Sequence, residues 1–100
     1  VRAAEPAACE VLINATPLGL HAGDALPARR ADHPRARWAL DLVYAAGGTP
    51  WIRGLVREGV RAADGREVLV AQGAAAFTRW FPRAVAPVEV MRAAVRRALG

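Results

Sequence analysis

The sequence predicts an α/β domain built on three parallel strands, and three observations lead to this prediction. Short apolar runs of strand length alternate with segments whose apolar residues recur at helical spacing. The order of these segments, strands alternating with helices, is typical of parallel sheets with right-handed crossovers. With 100 residues, the chain is long enough for one small domain and no more.

Residues 11–15 form the first predicted strand, a short apolar run that breaks at Thr16 and Pro17. Pro17 disfavours helical backbone at Thr16, so we expect the chain to leave this strand in an extended conformation. Residues 19–36 hold glycine, aspartate, proline and both histidines, which predicts a loop with one short turn of helix.

Residues 38–44 form the second predicted strand, and Asp41 interrupts its apolar run. The first predicted helix begins after Thr49, because threonine is a good N-cap and the following proline is favoured at the first helical position. Gly59 ends this helix. Residues 60–63 form the third predicted strand, after which an Asp-Gly pair turns the chain.

Two helices are predicted in the C-terminal part. Residues 67–81 are apolar on nearly all sides, which predicts a helix that is buried on more than one side and that Pro82 ends. Pro87 begins the last helix, which has one apolar stripe. Its arginines lie toward the helix C-terminus, where the dipole favours positive charge.

The net charge of +5 comes entirely from arginine, because the chain has no lysine. Basic patches can bind nucleic acid or a phosphate-bearing cofactor. These arginines are scattered rather than interleaved with aromatic residues, so the sequence predicts that the protein has no nucleic-acid partner. No apolar run is long enough to cross a bilayer and no leader-like stretch follows Val1. With a single cysteine, Cys9, we expect a cytoplasmic protein without a membrane partner, whose true N-terminus lies upstream.

Ligands of open parallel sheets bind beyond the carboxyl ends of the strands, and polar or glycine residues stand at three predicted strand ends, residues 14–19, 41–48 and 64–72, whose convergence predicts a site. Asn14 and Thr16 follow the first strand, where they could face a cofactor or form a turn with their own backbone. Asp41 needs hydrogen-bond partners if it is buried, and loop N–H groups could supply them. Tyr44 could reach a ligand or be a core tyrosine with its hydroxyl in water.

Gln72 lies on the predicted apolar helix. We expect its amide to be buried, so that a ligand, a backbone carbonyl or a water must bond it. His21 and His33 lack the spacing of metal ligands, so no metal site is predicted. The chain has no serine for a Ser-His-Asp arrangement and no glycine-rich dinucleotide motif. No catalytic residue is therefore predicted.

A series of motifs along the chain is more specific through its order and spacing than any one motif is. The series runs Val-Leu-Ile-Asn-Ala-Thr-Pro-Leu-Gly over residues 11–19, Asp-Leu-Val-Tyr over 41–44, Thr-Pro at 49–50, Asp-Gly at 64–65, Leu-Val-Ala-Gln over 69–72 and Pro-Val-Glu-Val-Met over 87–91. This series resembles the C-terminal portion of the shikimate dehydrogenases.

The resemblance implies the second half of a Rossmann-like sheet with C-terminal helices. Members of the family have an N-terminal substrate domain and a C-terminal NADP-binding domain, and they reduce 3-dehydroshikimate to shikimate in aromatic amino-acid biosynthesis. Residues 1–100 would then be the C-terminal part of the NADP-binding domain, an incomplete domain. The helices within residues 67–99 would pack toward a substrate domain that this sequence does not contain.

The resemblance also implies roles for individual residues. Tyr44 and Gln72 match positions that hydrogen-bond the substrate, shikimate or 3-dehydroshikimate. The positions that match the NADP site are Asn14 and Thr16 in the cleft loop, Leu42 and Gly65 through their backbone at the nicotinamide end, and Val68. Val68 stands where the family has a methionine, within an Arg-Glu-Val-Leu stretch that replaces the usual Leu-Gly-Met-Leu.

The lysine–aspartate pair, the glycine-rich phosphate loop and the motif that selects NADP are missing from this sequence and are expected upstream. The isolated 100-residue chain is therefore predicted to be inactive. Two alternatives stay open, a non-catalytic association module or pseudoenzyme remnant, and a quinate/shikimate dehydrogenase paralogue. The unpaired strand edge that a missing half-sheet leaves also makes a homodimer an expectation.

Overall fold

The computed structural model describes residues 6–99, and the structural statements that follow concern those residues. Three strands and three α-helices are present, with a 3₁₀ turn before the first strand and another between the first two strands. Their bounds are β1 Val11–Asn14, β2 Trp38–Asp41, α1 Pro50–Arg57, β3 Arg61–Ala63, α2 Gly65–Trp80 and α3 Val88–Leu99, with 3₁₀ turns at Pro6–Ala8 and Arg30–Asp32.

The three strands form one sheet in the order β1-β2-β3, and both neighbouring pairs are parallel. The predicted α/β class with three parallel strands is confirmed. In the register of the sheet Asn14 is paired with Asp41, so the carboxyl ends of β1 and β2 lie side by side. The short helical turn predicted between residues 19 and 36 is the one at Arg30–Asp32.

The second strand is shorter than the predicted 38–44, because it ends at Asp41. The Asp41 carboxylate accepts a hydrogen bond from the backbone N–H of Val43 at 3.0 Å. This local bond turns the backbone out of the ladder within two residues. The third strand begins at Arg61, since the N–H of Val60 donates instead to the carbonyl of Leu55 at 3.0 Å.

Helix α1 has the predicted beginning and end. The Thr49 side chain accepts a hydrogen bond from the N–H of Ile52 at 3.3 Å, and Pro50 occupies the first turn. Gly59 follows the helix with a φ of 86°, a conformation that favours glycine. The buried face of α1 packs on one face of the sheet, and together they form the apolar core: Leu12, Ala36, Ala39, Trp51, Ile52, Leu55 and Val60.

The opposite face of the sheet has no such cover within residues 6–99. Strand residues alternate between the two faces, so Leu12 is buried while its neighbours Val11 and Ile13 are 52% and 60% exposed. On β2, Trp38 is 42% exposed on the same side of its strand pair as Val11. We call the exposed residues Val11, Ile13 and Trp38 the open sheet face.

Helix α2 begins two residues earlier than predicted, because Asp64 is its N-cap and not part of a separate turn. The Asp64 carboxylate accepts a hydrogen bond from the N–H of Arg66 at 3.0 Å. The expectation that this helix is buried on more than one side is wrong for the described residues. Only Gly65 and Val70 are buried along it, whereas Trp80 is 71% exposed.

Helix α3 begins at Val88, one residue later than the predicted start at Pro87. It packs along α2, and an ion pair joins the two helices, with Arg92 Nη2 3.2 Å from Glu67 Oε2. The Glu89 carboxylate also accepts a hydrogen bond from Arg92. In the part of the chain that the structure describes, no helix combines the length and the apolar character needed to cross a bilayer.

Candidate functional site

The carboxyl ends of β1 and β2 are joined by a buried polar network around Asp41, whose side chain is fully buried. The Asp41 carboxylate accepts hydrogen bonds from Asn14 Nδ2 at 2.8 Å and from Thr49 Oγ1 at 2.7 Å, besides the one from Val43 N–H. Three donors satisfy the buried carboxylate. The expectation that loop N–H groups bond Asp41 is therefore met by one N–H group, with two side chains added.

Thr49 is a helix cap, as predicted, but the sequence did not indicate its link to Asp41. The hydroxyl accepts from Ile52 N–H and donates to Asp41, so the start of α1 is tied to the end of β2. An aspartate inside an apolar run, followed by a threonine before a proline, is the signal that could have indicated it. The distance between them in sequence gave no measure of their separation in space.

Asn14 forms the local turn that was one of the two alternatives for its side chain. Its amide nitrogen donates to Asp41 and to the carbonyl of Leu18, and its amide oxygen accepts from the N–H and the hydroxyl of Thr16. With its side chain 2% exposed, its donors and acceptor are all used locally. Thr16 is exposed in the same loop. Contact with a cofactor stays a prediction for both residues.

Leu42, Tyr44 and Gly65, three of the predicted site residues, are brought into contact. A Cβ atom on Gly65 would lie 2.2 Å from the Leu42 carbonyl oxygen and 2.9 Å from a ring carbon of Tyr44. The Gly65 N–H donates to the carbonyl of Val43 at 3.2 Å. Only a residue without a side chain fits between the start of α2 and the segment that follows β2.

Tyr44 presents its ring at this position with 42% of its surface exposed. A half-exposed phenol beside a strand end can bond a ligand or water, so both alternatives for its hydroxyl remain open. Leu42 is equally exposed, and its backbone N–H donates to the carbonyl of Asn14 at 3.0 Å. Its position is thereby fixed against β1.

Gln72 is exposed, so the prediction of a buried amide is wrong. Its amide nitrogen donates to the carbonyl of Leu69 in its own helix at 2.8 Å. The error follows from the one on α2, since the side of the helix that carries Gln72 has no cover within the described residues. Gln72 lies seven residues beyond Gly65, roughly 10 Å along the helix axis. No hydrogen bond joins it to Tyr44 within residues 6–99.

The first turn of α2 carries the Arg-Glu-Val stretch that departs from the family pattern. Arg66 binds the Asp64 carboxylate through Nε and Nη2, at 2.9 Å and 2.8 Å from the same oxygen. The hydrogen bond that Arg66 donates to the Asp64 carboxylate raises the pKa of the guanidinium above its ordinary value, although burial opposes this. Val68, in the predicted methionine position, is half-buried. Arg66 thus neutralises the capping carboxylate instead of projecting a free charge.

Comparison with known proteins finds matches to one family. The family model described as the shikimate 5'-dehydrogenase C-terminal domain matches residues 65–96, the span of α2 and most of α3. A shikimate dehydrogenase (NADP(+)) of Moorella thermoacetica is 38% identical over 97 residues. That match covers 96% of this chain and 32% of the relative. Another of an Anaeromyxobacter species is 43% identical and is matched over 92% of this chain and 31% of its own length.

The resemblance to the shikimate dehydrogenase family is confirmed. The crystal structure of the Thermus thermophilus shikimate 5-dehydrogenase in complex with NADP(H) and shikimate has a TM-score of 0.78 and 31% identity. That match covers 95% of this chain and 36% of the solved chain. The chain spans about a third of the length of the shikimate dehydrogenases that it matches.

Proposed function

We propose that this chain forms the C-terminal part of an NADP(H)-dependent shikimate dehydrogenase, which reduces 3-dehydroshikimate to shikimate in the cytoplasm. The observation that carries this proposal is the similarity to the Thermus thermophilus enzyme over 95% of the chain, since that enzyme was crystallised in complex with both NADP(H) and shikimate. The curated relatives bear the same activity and cofactor in their names.

The nicotinamide end of the cofactor is the part that these residues can hold. The backbone of Gly65 lies directly against the Leu42 carbonyl, since a Cβ atom on Gly65 would be 2.2 Å from that oxygen, so the two residues proposed to contact the nicotinamide through their backbone lie together. NADP(H), when bound, supplies or accepts the hydride. The pyrophosphate needs a helix N-terminus with free N–H groups, whereas at the start of α2 the Asp64 carboxylate already accepts from Arg66 N–H. The residues that bind the pyrophosphate are therefore proposed to lie in the upstream part.

Tyr44 and Gln72 are proposed to bind the substrate. Tyr44 is 42% exposed and follows the carboxyl end of β2, where ligands of such folds bind. Gln72 satisfies its amide nitrogen within its own helix, and its amide is exposed to whatever covers α2. An exposed amide can exchange its intrahelical bond for one to a substrate hydroxyl at little cost.

Helices α2 and α3 are proposed to pack against the substrate domain of the complete enzyme. Large apolar side chains are exposed along these two helices and their connection: Leu69, Trp80, Phe81, Val85 and Val90. Trp80 and Phe81 line one surface depression, and exposed apolar patches are typical of interaction sites. A non-catalytic association module would use the same surface, and a quinate/shikimate paralogue would share the same fold, so activity decides between them.

A chimera tests the proposal directly. In the Moorella thermoacetica shikimate dehydrogenase, the matching C-terminal segment is replaced by this chain, and NADP-dependent oxidation of shikimate and of quinate is measured. We expect activity with shikimate in the chimera and none in the isolated chain, because the resemblance implies that the proton-transfer lysine–aspartate pair lies outside these 100 residues. A chimera that is folded by circular dichroism but inert toward both substrates contradicts the proposal, as does turnover by the isolated chain.

Two variants of the chimera test the substrate contacts. Tyr44→Phe and Gln72→Met each remove one hydrogen-bonding group while keeping the size of the side chain, so we expect kcat/KM for shikimate to fall by about tenfold or more. Thr78→Val is the matched control, because Thr78 is a polar residue farther along α2. Its kcat/KM should stay within about twofold of the parent chimera.

A further inference from the structure

A second concave surface lies at the amino ends of the strands, at the opposite end from Leu42, Tyr44 and Gly65. It is a groove of about 600 Å³ between the loop that precedes β2 and the start of β3. We call it the basic groove. The side chains that define it are Arg30, Arg35, Arg37, Arg61, Trp38 and Glu10.

The charge of the basic groove is strongly unbalanced. Four arginines and one glutamate line it, which gives the lining residues a net charge of +3. The ion pairs found in residues 6–99 involve other arginines, namely Arg29, Arg66 and Arg92. Positive groups gathered in a concave surface concentrate the electrostatic field and attract anions.

The backbone fixes two of these arginines close together. Arg61 is paired with Trp38 across the β2–β3 ladder, and its N–H donates to the carbonyl of Arg37 at 3.0 Å. Arg37 in turn donates its own N–H to the carbonyl of Glu10 at 2.8 Å. Arg37 and Arg61 therefore start from neighbouring points of a hydrogen-bonded sheet, so little chain entropy is lost when both bind one anion.

Two further contacts in the basic groove involve the side chains of Arg30 and Trp38. One Arg30 nitrogen, Nη1, donates to the carbonyl of His33 at 2.6 Å, whereas its Nε is buried without a hydrogen-bond partner among the described residues. A buried donor that lacks an acceptor is uncommon in folded proteins. The guanidinium of Arg37 lies 5.0 Å from the centre of the Trp38 ring, which holds it in place by a cation–π contact.

We propose that the basic groove binds an anion that carries two or more linked phosphate groups. Guanidinium groups match phosphate oxygens in a bidentate manner, and several of them on one wall favour several phosphates over one. The groove is larger than a single phosphate requires. The site is independent of the proposed dehydrogenase function, since none of its residues belongs to the predicted substrate or NADP site.

Isothermal titration calorimetry of the 100-residue chain with inorganic tripolyphosphate tests the proposal at an ionic strength of about 0.15 M. We expect one saturable site and an affinity for orthophosphate at least about tenfold lower. Arg61→Gln and, as an exposed loop variant that leaves the sheet untouched, Arg35→Gln should each weaken tripolyphosphate binding by about tenfold. Circular dichroism checks that each variant is folded.

The matched control is Arg79→Gln, which removes the same charge from an exposed position on α2 outside the groove. Its affinity should stay within about twofold of the parent chain. Absence of saturable binding, equal affinity for orthophosphate, or equal weakening by Arg79→Gln would each overturn the proposal. Tyr44→Phe should leave tripolyphosphate binding unchanged, which separates this site from the proposed dehydrogenase site.

Discussion

Gly65 shows how one residue decides whether two segments can meet. The start of α2 approaches the segment after β2 so closely that the Leu42 carbonyl oxygen occupies the place of a side chain. Its φ is not in the left-handed region, so close approach and not backbone conformation is what requires glycine here. The contact holds Leu42 and Tyr44 beside the N-terminal turn of α2, where the proposed site lies.

Substituting Gly65 tests this contact. We expect Gly65→Ala to lower the free energy of unfolding by about 2 kcal/mol, because the new methyl group must push the backbone of Leu42 aside. Urea unfolding followed by circular dichroism measures the change. Gly73→Ala is the control, since nothing lies within 4 Å of a Cβ there and alanine favours a helix. A Gly65→Ala variant as stable as Gly73→Ala would show that the contact between Gly65 and the Leu42 carbonyl is looser than in this structure.

Individual residues also show how much of the candidate site could be predicted from the sequence. The convergence of the strand ends was predicted, because the carboxyl ends of parallel strands lie at one edge of a sheet, and the resemblance assigned Leu42 and Gly65 to the same end of the cofactor. The burial of Gln72 was predicted wrongly. Its neighbours in sequence are apolar, but whether an apolar side is covered depends on what packs there, and nothing in residues 6–99 packs on the side of α2 that carries Gln72.

At the scale of elements, the loop between β1 and β2 is held by one carboxylate. Asp24 accepts hydrogen bonds from the N–H groups of Gly19 and His21, both at 3.0 Å. The loop is also tied to α1, because Trp51 Nε1 donates to the carbonyl of Ala28 at 2.9 Å. Two anchors at different points hold a long connection in which the regular structure is one 3₁₀ turn at Arg30–Asp32.

The loop should loosen in acid. The N–H groups of His21 and then Gly19 hold the pKa of Asp24 below its ordinary value of 3.8. The hydrogen bonds to ionised Asp24 therefore stabilise the folded chain above its ordinary pKa of 3.8. This stabilisation is lost as the pH falls through the lowered pKa of the folded state. The difference in unfolding midpoint between the parent chain and Asp24→Asn should therefore shrink between about pH 6 and about pH 3. A difference that does not change with pH would contradict the assigned bonds.

Element boundaries were predictable where a cap residue marks them and less so elsewhere. Thr49, Pro50 and Gly59 placed α1 correctly, since each acts through its own backbone and side chain. The end of β2 was misplaced by three residues, because an Asp41 side-chain bond ended the ladder inside an apolar run. The hydrophobic pattern of the sequence does not reveal a side-chain hydrogen bond of this kind.

At the scale of the whole molecule, the sheet is covered on one face only. The α1 side forms the core, whereas the open sheet face leaves Val11 and Ile13 more than half exposed. Doubly wound sheets carry helices on both faces, so the proposed upstream part of the enzyme would cover Val11 and Ile13 on this face. In the isolated chain the same surface and the free edge of β1 are available to a second copy.

Self-association of the isolated chain should therefore depend on the open sheet face. We expect sedimentation velocity to show oligomers that increase with concentration, and Ile13→Lys to reduce them, because a charge cannot be buried there without a partner. Leu20→Lys is the matched control, as Leu20 is also 60% exposed but lies in the loop outside the sheet. Equal reduction by both variants would assign association to general hydrophobicity.

The three tryptophans differ in exposure, so their fluorescence reports on different parts of the chain. Trp51 is 4% exposed in the core, whereas Trp80 is 71% exposed at the end of α2. Indole fluorescence shifts to longer wavelength in water, so Trp51 emission reports the loss of the core. A blue shift of the Trp80 emission instead reports an arriving partner. Fluorescence spectra can thus distinguish unfolding of the core from binding of the proposed upstream part, without an added label.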